Sequence, residues 1–298
     1  MFFSASSPRH AKEILDAGID DLLVSFHYIK KSPKYTEELI PRVNARGGYF
    51  MTDSGGFSII TALKGDEIPE EVTQEKYWTA YIEEYVQWLY DNHKNIYVCA
   101  NMDLDNIVGR DVVDKWNEQY FKPLEKYTNV IYLAHKDVDK EFNDPTGFKR
   151  LKEYLEVHDY VGVNNRWKND YQKVYQLAKH YKKRIHGFAL TSVPELKKFP
   201  QFSQDSTSWM GGARYGTTYD YDGKNFVVQS HHKKYVRKTK KLLCRERSID
   251  FSRILAEKEH DINMLNLEGW KGARHEVLKM ANLKLWNKPV SFYDKRTK

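Results

Sequence analysis

The residues best suited to chemistry in this sequence form a short run at positions 53–57, which reads Asp-Ser-Gly-Gly-Phe. The run follows an apolar segment, Tyr49–Met51, that is typical of the end of a buried strand. Its paired glycines allow a sharp turn and a close approach of the backbone to a ligand. Asp53 suits acid–base chemistry on that ligand, and Phe57 can stack on a flat ring. The alternative is a turn in which Asp53 and Ser54 cap the next segment.

Two further predicted strands also end on aspartate, at Asp103 and Asp205. A buried strand end is a costly place for an unpaired carboxylate, so three on one rim require a ligand, a metal or one another. Two carboxylates facing one sugar can cleave a glycosidic bond, one attacking the anomeric carbon and the other handling the proton of the leaving group. The same logic applies to the N-glycosidic bond of a nucleobase. Turn capping is the alternative for each aspartate, and Asp105 competes with Asp103 for its role.

A metal centre is a weaker interpretation of the same region. His27, His135 and His186 lie near strand ends but lack the spacing of metal ligands, and such a histidine more often donates a hydrogen bond to substrate or backbone. The chain has only two cysteines, Cys99 and Cys244, which make no disulfide framework and leave little from which to build a structural zinc site. The sequence therefore predicts no metal in the site.

The elements that must position these carboxylates are eight short β-rich segments, each followed by a polar segment of helical character. Strands that alternate with helices imply a parallel sheet, and eight such units imply an α/β protein with a (β/α)8, or TIM, barrel. In such a barrel the active site lies at the carboxyl ends of the strands. The predicted strands are Phe2–Ala5, Asp21–Phe26, Tyr49–Asp53, Ile96–Asp103, Val130–Ala134, Tyr160–Val163, Arg184–Leu190 and Phe202–Asp205.

Helical periodicity is clearest in Thr73–Tyr90, where Tyr77, Tyr81, Tyr85 and Trp88 share one face that is typical of core packing. Residues 1–216 are predicted to form the barrel core with its catalytic rim. Residues 217–298 then add elements packed on the same single domain: a hairpin at Tyr219–Gln229 turning at Asp222-Gly223, a basic segment and C-terminal helices at about Ser248–Leu285. The other predicted helices are Ala11–Ala17, Thr36–Ala45, Val112–Tyr127, Gly147–Val157 and Tyr171–Tyr181.

Composition limits the possible partners and locations. The 298 residues are 41% hydrophobic, enough for a large buried core, and carry a net charge of +7 with a pI near 9.0, which is compatible with a polyanionic partner. No apolar run approaches the roughly 18 residues that a membrane-spanning helix needs. The apolar start of the chain is too short for a signal peptide. We therefore expect a cytoplasmic protein with no membrane partner.

The motifs and their order resemble the tRNA-guanine transglycosylase superfamily. Residues 53–57 resemble its DSGGF motif, and residues 101–103 (Asn-Met-Asp) are similar to its base-recognition segment. Residues 186–190 (His-Gly-Phe-Ala-Leu) and 205–209 (Asp-Ser-Thr-Ser-Trp) resemble its glycine-containing strand near the substrate and its nucleophile segment. The order and approximate spacing agree over residues 1–216. The compact form is most similar to phage-type enzymes that place a 7-deazaguanine in DNA.

This resemblance implies a mechanism. Asp205 would attack C1′ of a guanosine residue, and Asp53 would protonate the departing guanine and deprotonate the incoming 7-deazaguanine free base. Asp103 would bind the Watson–Crick edge of the base, which must leave its stack to reach the pocket. The phenylalanines would stack on the base, although core packing is an equal alternative for Phe188. The other substrate-binding residues implied are Ser54, Gly55, Gly56, Phe57, Gly162 and Phe188.

The chain also departs from the family pattern. The structural zinc of the family, held by three cysteines and a histidine, looks lost, because only Cys244, with His260 and His275 downstream, lies in the corresponding region. Residues 134–136 (Ala-His-Lys) stand where the family usually has Gln-Gly, and Ala189 replaces a glycine. A C-terminal RNA-binding module of the archaeal kind is not evident in the sequence. The resemblance therefore implies no cofactor and favours DNA over tRNA.

A basic segment supplies the expected contacts to a polynucleotide. Residues 231–247 contain eight Lys or Arg and one acidic residue, a composition that neutralises phosphates or, alternatively, forms a solvated surface. The alternatives to a DNA enzyme are a tRNA-guanine transglycosylase with a reduced tRNA-binding region, a non-catalytic nucleic-acid-binding partner subunit, and a small-molecule glycoside hydrolase. The predicted nucleic-acid contacts are Arg214, Lys233, Lys234, Arg237, Lys238, Lys240, Lys241 and Arg245.

Overall fold

Eight parallel strands close into a barrel in the order in which they occur along the chain, and the last strand pairs with the first. The predicted (β/α)8 barrel is therefore confirmed. The computed structural model of the protein describes residues 1–6, 8–63, 68–136, 147–190, 193–210, 217–221, 226–230, 262–264, 266–272 and 275. The barrel strands are β1 (Phe2–Ser6), β2 (Leu22–Val24), β3 (Phe50–Thr52), β4 (Val98–Ala100), β5 (Asn129–Leu133), β6 (Tyr160–Val163), β7 (Arg184–Gly187) and β8 (Ser203–Ser206).

Helices connect successive strands. The longer ones lie close to their predicted bounds, and several short helices that the sequence did not indicate begin just after the carboxyl ends of strands. In chain order the helices are α1 (Pro8–Asp16), α2 (Phe26–Lys31), α3 (Ile40–Ala45), α4 (Gly56–Leu63), α5 (Glu75–Asn92), α6 (Asp105–Val108), α7 (Arg110–Trp116), α8 (Lys122–Leu124), α9 (Phe148–Val157), α10 (Tyr171–Tyr181) and α11 (Val193–Lys198).

Two predicted helices, Thr36–Ala45 and Val112–Tyr127, are wrong in detail. Each contains a π-helical turn, at Tyr35–Leu39 and Asn117–Phe121 respectively. Each turn precedes a helix with proline in its first two positions, α3 and α8. Because proline has no N–H to donate to the preceding turn, the regular α-helical bonding cannot continue through it.

Three predicted strand ends are also corrected. β4 ends at Ala100, three residues before Asp103, because the Asn101 side chain rather than a backbone carbonyl accepts the next N–H of β5. β7 ends at Gly187, since the chain turns at Ala189, whose φ of 53° is left-handed. β8 continues to Ser206, so Asp205 lies within the strand and not at its last residue.

The core has two layers that follow from strand alternation. On β2, Leu22 and Val24 pack in a large cluster that includes the helices, whereas Leu23 belongs to a separate cluster built from strand residues and their immediate neighbours. Because successive side chains of a strand point to opposite faces, this second cluster fills the barrel interior. Met51 of β3 belongs to it, so Asp53, two residues on, continues the interior face towards the rim.

The aromatic face of α5 is core, with one exception. Tyr85 is fully buried, and Phe26 packs against Tyr81, Tyr85 and Trp88. Tyr77, by contrast, is 41% exposed. Two of these tyrosines also donate hydrogen bonds to the loops at the rim, Tyr81 to the carbonyl of Ser54 at 2.5 Å and Tyr85 to that of Ala100 at 3.0 Å. The helix that was predicted only to pack thus also fixes the DSGGF turn.

Beyond the barrel, the predicted hairpin is present as antiparallel pairing of β9 (Thr217–Tyr221) with β10 (Phe226–Ser230). The turn residues 222–225, the whole basic segment 231–247 and Arg214 lie outside the described residues. Residues 262–264 and 266–272 are helical, within the predicted C-terminal helical region. No helix in the described ranges is both long and apolar enough to cross a bilayer.

Candidate active site at the carboxyl end of the barrel

A recess opens at the carboxyl ends of strands β3, β4, β5 and β7. It encloses about 440 Å³ of empty space, counted out into the solvent at its mouth. Seven predicted site residues line it, from Asp53 to Phe57 together with Asp103 and Phe188, whereas Asp205 and Gly162 do not. The full lining is Asp53, Ser54, Gly55, Gly56, Phe57, Ser58, Ala100, Asn101, Asp103, Leu133 and Phe188.

The DSGGF turn holds the Asp53 carboxylate by local hydrogen bonds. Its Oδ1 accepts the N–H of Gly55 at 3.0 Å, and its backbone carbonyl accepts the N–H of Phe26 at 2.9 Å. Gly55 has a left-handed φ of 76°, and a Cβ there would lie 2.5 Å from Oγ of Ser25. Only glycine fits this position, since it meets both the conformation and the close approach.

The Asp53 carboxyl has the electrostatics of a proton carrier. Loss of solvent raises its pKa, and the charges of Asp205 and Asp103 raise it further. The nearby Ser25 hydroxyl and the hydrogen bond from the Gly55 N–H act in the opposite direction. The net result is a pKa of about 6, so the group exchanges a proton readily near neutral pH.

Asp205 is held from the neighbouring strand. The N–H of Ala189 donates to both carboxylate oxygens, at 2.9 Å to Oδ1 and 3.3 Å to Oδ2. Ala189 has a left-handed φ of 53°, a conformation more usual for glycine, and this turn directs its N–H to the carboxylate. Nε2 of His186 lies 3.8 Å from Oδ1 of Asp205, and its Nδ1 lies 2.6 Å from Oγ of Ser203.

His186 faces Asp205 as a neutral ring. The side chain is fully buried, and this burial lowers its pKa although the nearby Asp205 carboxylate opposes the shift. A neutral imidazole leaves the Asp205 carboxylate without a full counter-charge on this side. The carboxylate is therefore oriented by neutral contacts, which suits a group that acts as a nucleophile.

Asp103 enters the recess from the loop after β4 and pairs with His135. Nε2 of His135 lies 2.5 Å from Oδ1 of Asp103. Next to it, the side-chain oxygen of Asn101 accepts the N–H of Leu133 at 3.0 Å. The edge of the recess beside the DSGGF turn is thus polar and is fixed by contacts to Leu133 at the end of β5 and to His135 just after it.

Two aromatic rings border the recess. Phe57 is 70% exposed at the mouth, an unusual position for a large apolar side chain unless a partner covers it. Phe188 is half-buried and packs at its other side against the His186 ring, with centroids 4.4 Å apart. Its ring lies over Gly162, where a Cβ would come within 2.4 Å of Cε2 of Phe188. Gly162 therefore acts beneath the recess, by making room for Phe188.

We expect Gly162→Ala to push the Phe188 ring towards the recess. Overpacking of this kind costs about 1–3 kcal/mol of unfolding free energy, and the misplaced ring should weaken binding of a planar ligand roughly tenfold. Thermal unfolding measures the first effect, and the dissociation constant of a planar heterocyclic ligand measures the second. The double variant Gly162→Ala/Phe188→Leu should recover stability, because the smaller side chain relieves the contact. Wild-type stability in the single variant would contradict this role for Gly162.

The sequence did not predict how several residues shape the site. Ser25, just after β2, packs close to Gly55, and Tyr81 of α5 donates a hydrogen bond to Ser54, while Asn101 and Leu133 complete the lining. Each reaches the site through the closure of the barrel, which no local pattern reveals. Of the histidines noted near strand ends, His135 and His186 do contact site carboxylates.

A metal site does not emerge within the ranges that the structure describes, where no three His, Cys, Asp or Glu side chains come together as ligands. Cys99 is a buried free thiol. His275 is exposed, and Cys244 and His260 lie outside the described residues.

The fold and the site define a class: a (β/α)8 barrel with interacting carboxylates at the carboxyl ends of its strands. No model of a known protein family matches the chain, and no curated protein matches it. Among solved structures, the chain is similar to an enolase protein from the environmental genome shotgun sequencing of the Sargasso Sea, with a TM-score of 0.38 and 13% identity. The match covers 68% of this chain and 53% of the enolase chain, about half of that protein's length.

Proposed function

We propose that this chain is a guanine transglycosylase that exchanges guanine in a polynucleotide, preferentially DNA, for a 7-deazaguanine such as 7-cyano-7-deazaguanine. The observation that supports the proposal is that Asp53 and Asp103 line one recess and that the charge of Asp205 acts on Asp53, whose pKa is raised to about 6. The resemblance of residues 53–57, 101–103 and 205–209 to the transglycosylase motifs supports the same assignment.

In the first half of the reaction, an Asp205 carboxylate oxygen attacks C1′ of the target guanosine. The C1′–N9 bond breaks as the C1′–O bond forms, which leaves a covalent glycosyl ester on the enzyme. The electron pair of the broken bond goes to the base, and protonated Asp53 donates its proton to the departing guanine. The Ala189 N–H orients the attacking carboxylate.

In the second half, the 7-deazaguanine free base takes the place of guanine. Ionised Asp53 removes the N9 proton of the incoming base, and N9 attacks C1′ to release the Asp205 carboxylate. Asp53 returns to its protonated state, so protons and charge balance over one exchange. A pKa of about 6 suits a group that must act as an acid in one step and as a base in the next.

The recess offers the contacts that a purine of this type requires. The Asp103 carboxylate accepts hydrogen bonds from N1–H and the 2-amino group of the base, and Ser54 and the DSGGF backbone complete the polar contacts. Phe57 and Phe188 face the flat ring at two borders of the recess. Phe57 is exposed when no base or nucleotide covers it.

The test is exchange of labelled guanine into guanine-containing duplex DNA and into unmodified tRNA. Label in DNA supports the proposal, and label in tRNA alone would replace it with the tRNA-specific alternative. Binding of both polymers with exchange into neither would favour a non-catalytic nucleic-acid-binding subunit. Release of free sugar from a small glycoside, with no need for a polymer, would favour a glycoside hydrolase.

The basic segment gives a prediction about polymer binding. Changing Lys240 and Lys241 to Ala should weaken DNA binding and reduce the slope of log affinity against log salt by up to about 2, since each phosphate contact contributes about 0.9. Binding measured between roughly 50 and 300 mM salt gives the slope. The matched control changes Lys179 and Lys182 to Ala. These residues lie at the end of α10, just before β7 and so at the amino ends of the barrel strands, away from the recess. An unchanged slope for the first pair would assign the segment to a solvated surface.

A further inference from the structure

A chain of charged side chains runs from Asp103 away from the recess. The His135 ring lies between two carboxylates, with Nε2 2.5 Å from Oδ1 of Asp103 and 3.7 Å from Oδ2 of Asp105. Oδ1 of Asp105 accepts a hydrogen bond from Nη2 of Arg150 at 3.1 Å. Arg150 also donates through Nη1 to Oδ2 of Asp114 at 2.6 Å. Negative and positive groups therefore alternate along the chain.

The same chain returns to the recess by a second route. The Tyr154 hydroxyl accepts a hydrogen bond from Arg150 and donates one to Oδ1 of Asp114 at 2.9 Å. It also accepts a hydrogen bond from Nδ2 of Asn117 at 3.1 Å. Oδ1 of Asn117 accepts from Nδ2 of Asn101 at 2.9 Å. Asn101, like Asp103, lines the recess, so one polar network holds both residues on this edge.

Stability alone does not account for this network. The side chains of His135, Asp105 and Arg150 are only 11%, 10% and 8% exposed. The free energy lost when buried charges are desolvated is about as large as the attraction gained between them, so well-packed apolar residues would stabilise the fold equally well. What the network supplies is a fixed position for Asp103, a loop residue whose side chain is 38% exposed.

The network also places a raised-pKa histidine beside Asp103. Burial lowers the pKa of His135, but the hydrogen bond with Asp103 and the charges of Asp103 and Asp105 outweigh burial and raise it above its ordinary value. Nε2 of this ring lies 2.5 Å from Oδ1 of Asp103, so the imidazole and the carboxylate form a close ion pair. An ionised carboxylate only accepts hydrogen bonds, so it selects a purine edge that presents donors.

We propose that His135, held by Asp105 and Arg150, is a positioning residue that presents the Asp103 carboxylate to the N1–H and 2-amino donors of the base and so determines its specificity. The inference rests on the proposed function. With Oδ1 engaged by His135, Oδ2 is the oxygen directed to the base, and Oδ1 retains capacity for a second hydrogen bond. A base without the 2-amino group loses one charge-assisted bond.

The experiment compares 7-deazaguanine with 7-deazahypoxanthine, which differ only in the 2-amino group. Dissociation constants are measured by calorimetry for wild type, His135→Ala and His135→Gln. Wild type should prefer 7-deazaguanine about tenfold or more. His135→Ala should reduce this ratio to within threefold, because it weakens binding of 7-deazaguanine, which has two donors for Asp103, more than binding of 7-deazahypoxanthine, which has one. The KM for this base in exchange should rise about tenfold with little change in kcat. His135→Gln keeps an N–H donor and should restore most of the preference.

The matched control is His158→Ala. His158 is also buried, but it stacks on Tyr132 before the start of β6, at the opposite end of the barrel. Its loss should leave the preference unchanged even if it lowers stability. A folded His135→Ala variant with the wild-type preference would overturn the inference and leave the proposed function standing. Wild type that binds neither base would overturn both.

If His135→Ala does not fold, a second measurement tests whether His135 positions Asp103. In wild-type protein, the ring nitrogen signals of His135 should shift more on addition of 7-deazaguanine than of 7-deazahypoxanthine, because only the first base fully engages Asp103. Equal shifts at saturation with either base would contradict the positioning role. This comparison uses the intact chain and separates positioning from a merely structural contribution.

Discussion

Asp205→Asn is expected to form no covalent adduct with guanine-containing DNA on a denaturing gel and to slow base exchange by about 10⁴-fold or more. A neutral amide oxygen is too weak a nucleophile to attack C1′. The fold should persist, because the side-chain oxygen of asparagine can still accept the Ala189 N–H, which lies 2.9 Å from Oδ1 of Asp205. Loss of activity would then report on chemistry and not on unfolding.

Two further measurements sharpen this test. The matched control is Asp159→Asn, the same change at a residue whose side chain is 81% exposed before the start of β6, and it should form the adduct normally. In Asp205→Asn the pKa of Asp53 should fall, because the Asp205 charge that raises it is gone. Carbon NMR of the Asp53 carboxyl measures that shift in the folded variant. Adduct formation by Asp205→Asn would assign the nucleophile to another group.

The fold could be predicted because a parallel barrel repeats one local pattern eight times. Each strand is a short apolar run followed by a polar helical segment, and such runs need no long-range information to be found. The errors arose where one residue overrides the pattern. Pro41 and Pro123 interrupt helices, the Asn101 side chain ends β4, and the left-handed Ala189 ends β7.

The candidate site could be predicted only in part, for the same reason. The DSGGF run is contiguous, so its glycines and carboxylate are visible in sequence, and the recess is indeed lined by it. The partners of Asp103 are not contiguous, since Arg150 lies 45 residues from Asp105 and its contacts exist only in the closed barrel. Alternation along a strand places His135 near the rim but cannot say which carboxylate it meets.

Asp53→Asn should slow exchange by about 10²–10⁴-fold while DNA binding remains close to wild type. Asparagine can keep the hydrogen bond with the Gly55 N–H but can neither donate the proton to departing guanine nor remove one from the incoming base. In wild type, adduct formation needs the protonated acid, so its rate should fall by up to tenfold per pH unit above about 6. The variant should show no such dependence. A wild-type profile in the variant would remove Asp53 from proton transfer.

The same variant should be more stable than wild type at high pH. The pKa of Asp53 is about 6 in the folded protein, against 3.8 for an unperturbed aspartate, so the folded state binds the proton more tightly. The resulting stabilisation is complete below pH 3.8 and is lost as pH rises through 6. At pH 8 the ionised carboxylate should therefore lower the free energy of unfolding of the wild type by about 1–3 kcal/mol, and Asp53→Asn should recover this amount. The difference in unfolding free energy between variant and wild type should shrink as pH falls towards 5. Denaturant unfolding at about pH 8 and pH 5 tests this. If the difference in stability between variant and wild type is the same at both pH values, then the pKa of Asp53 is not raised in the folded protein. The proposed two-step proton transfer requires that raised pKa.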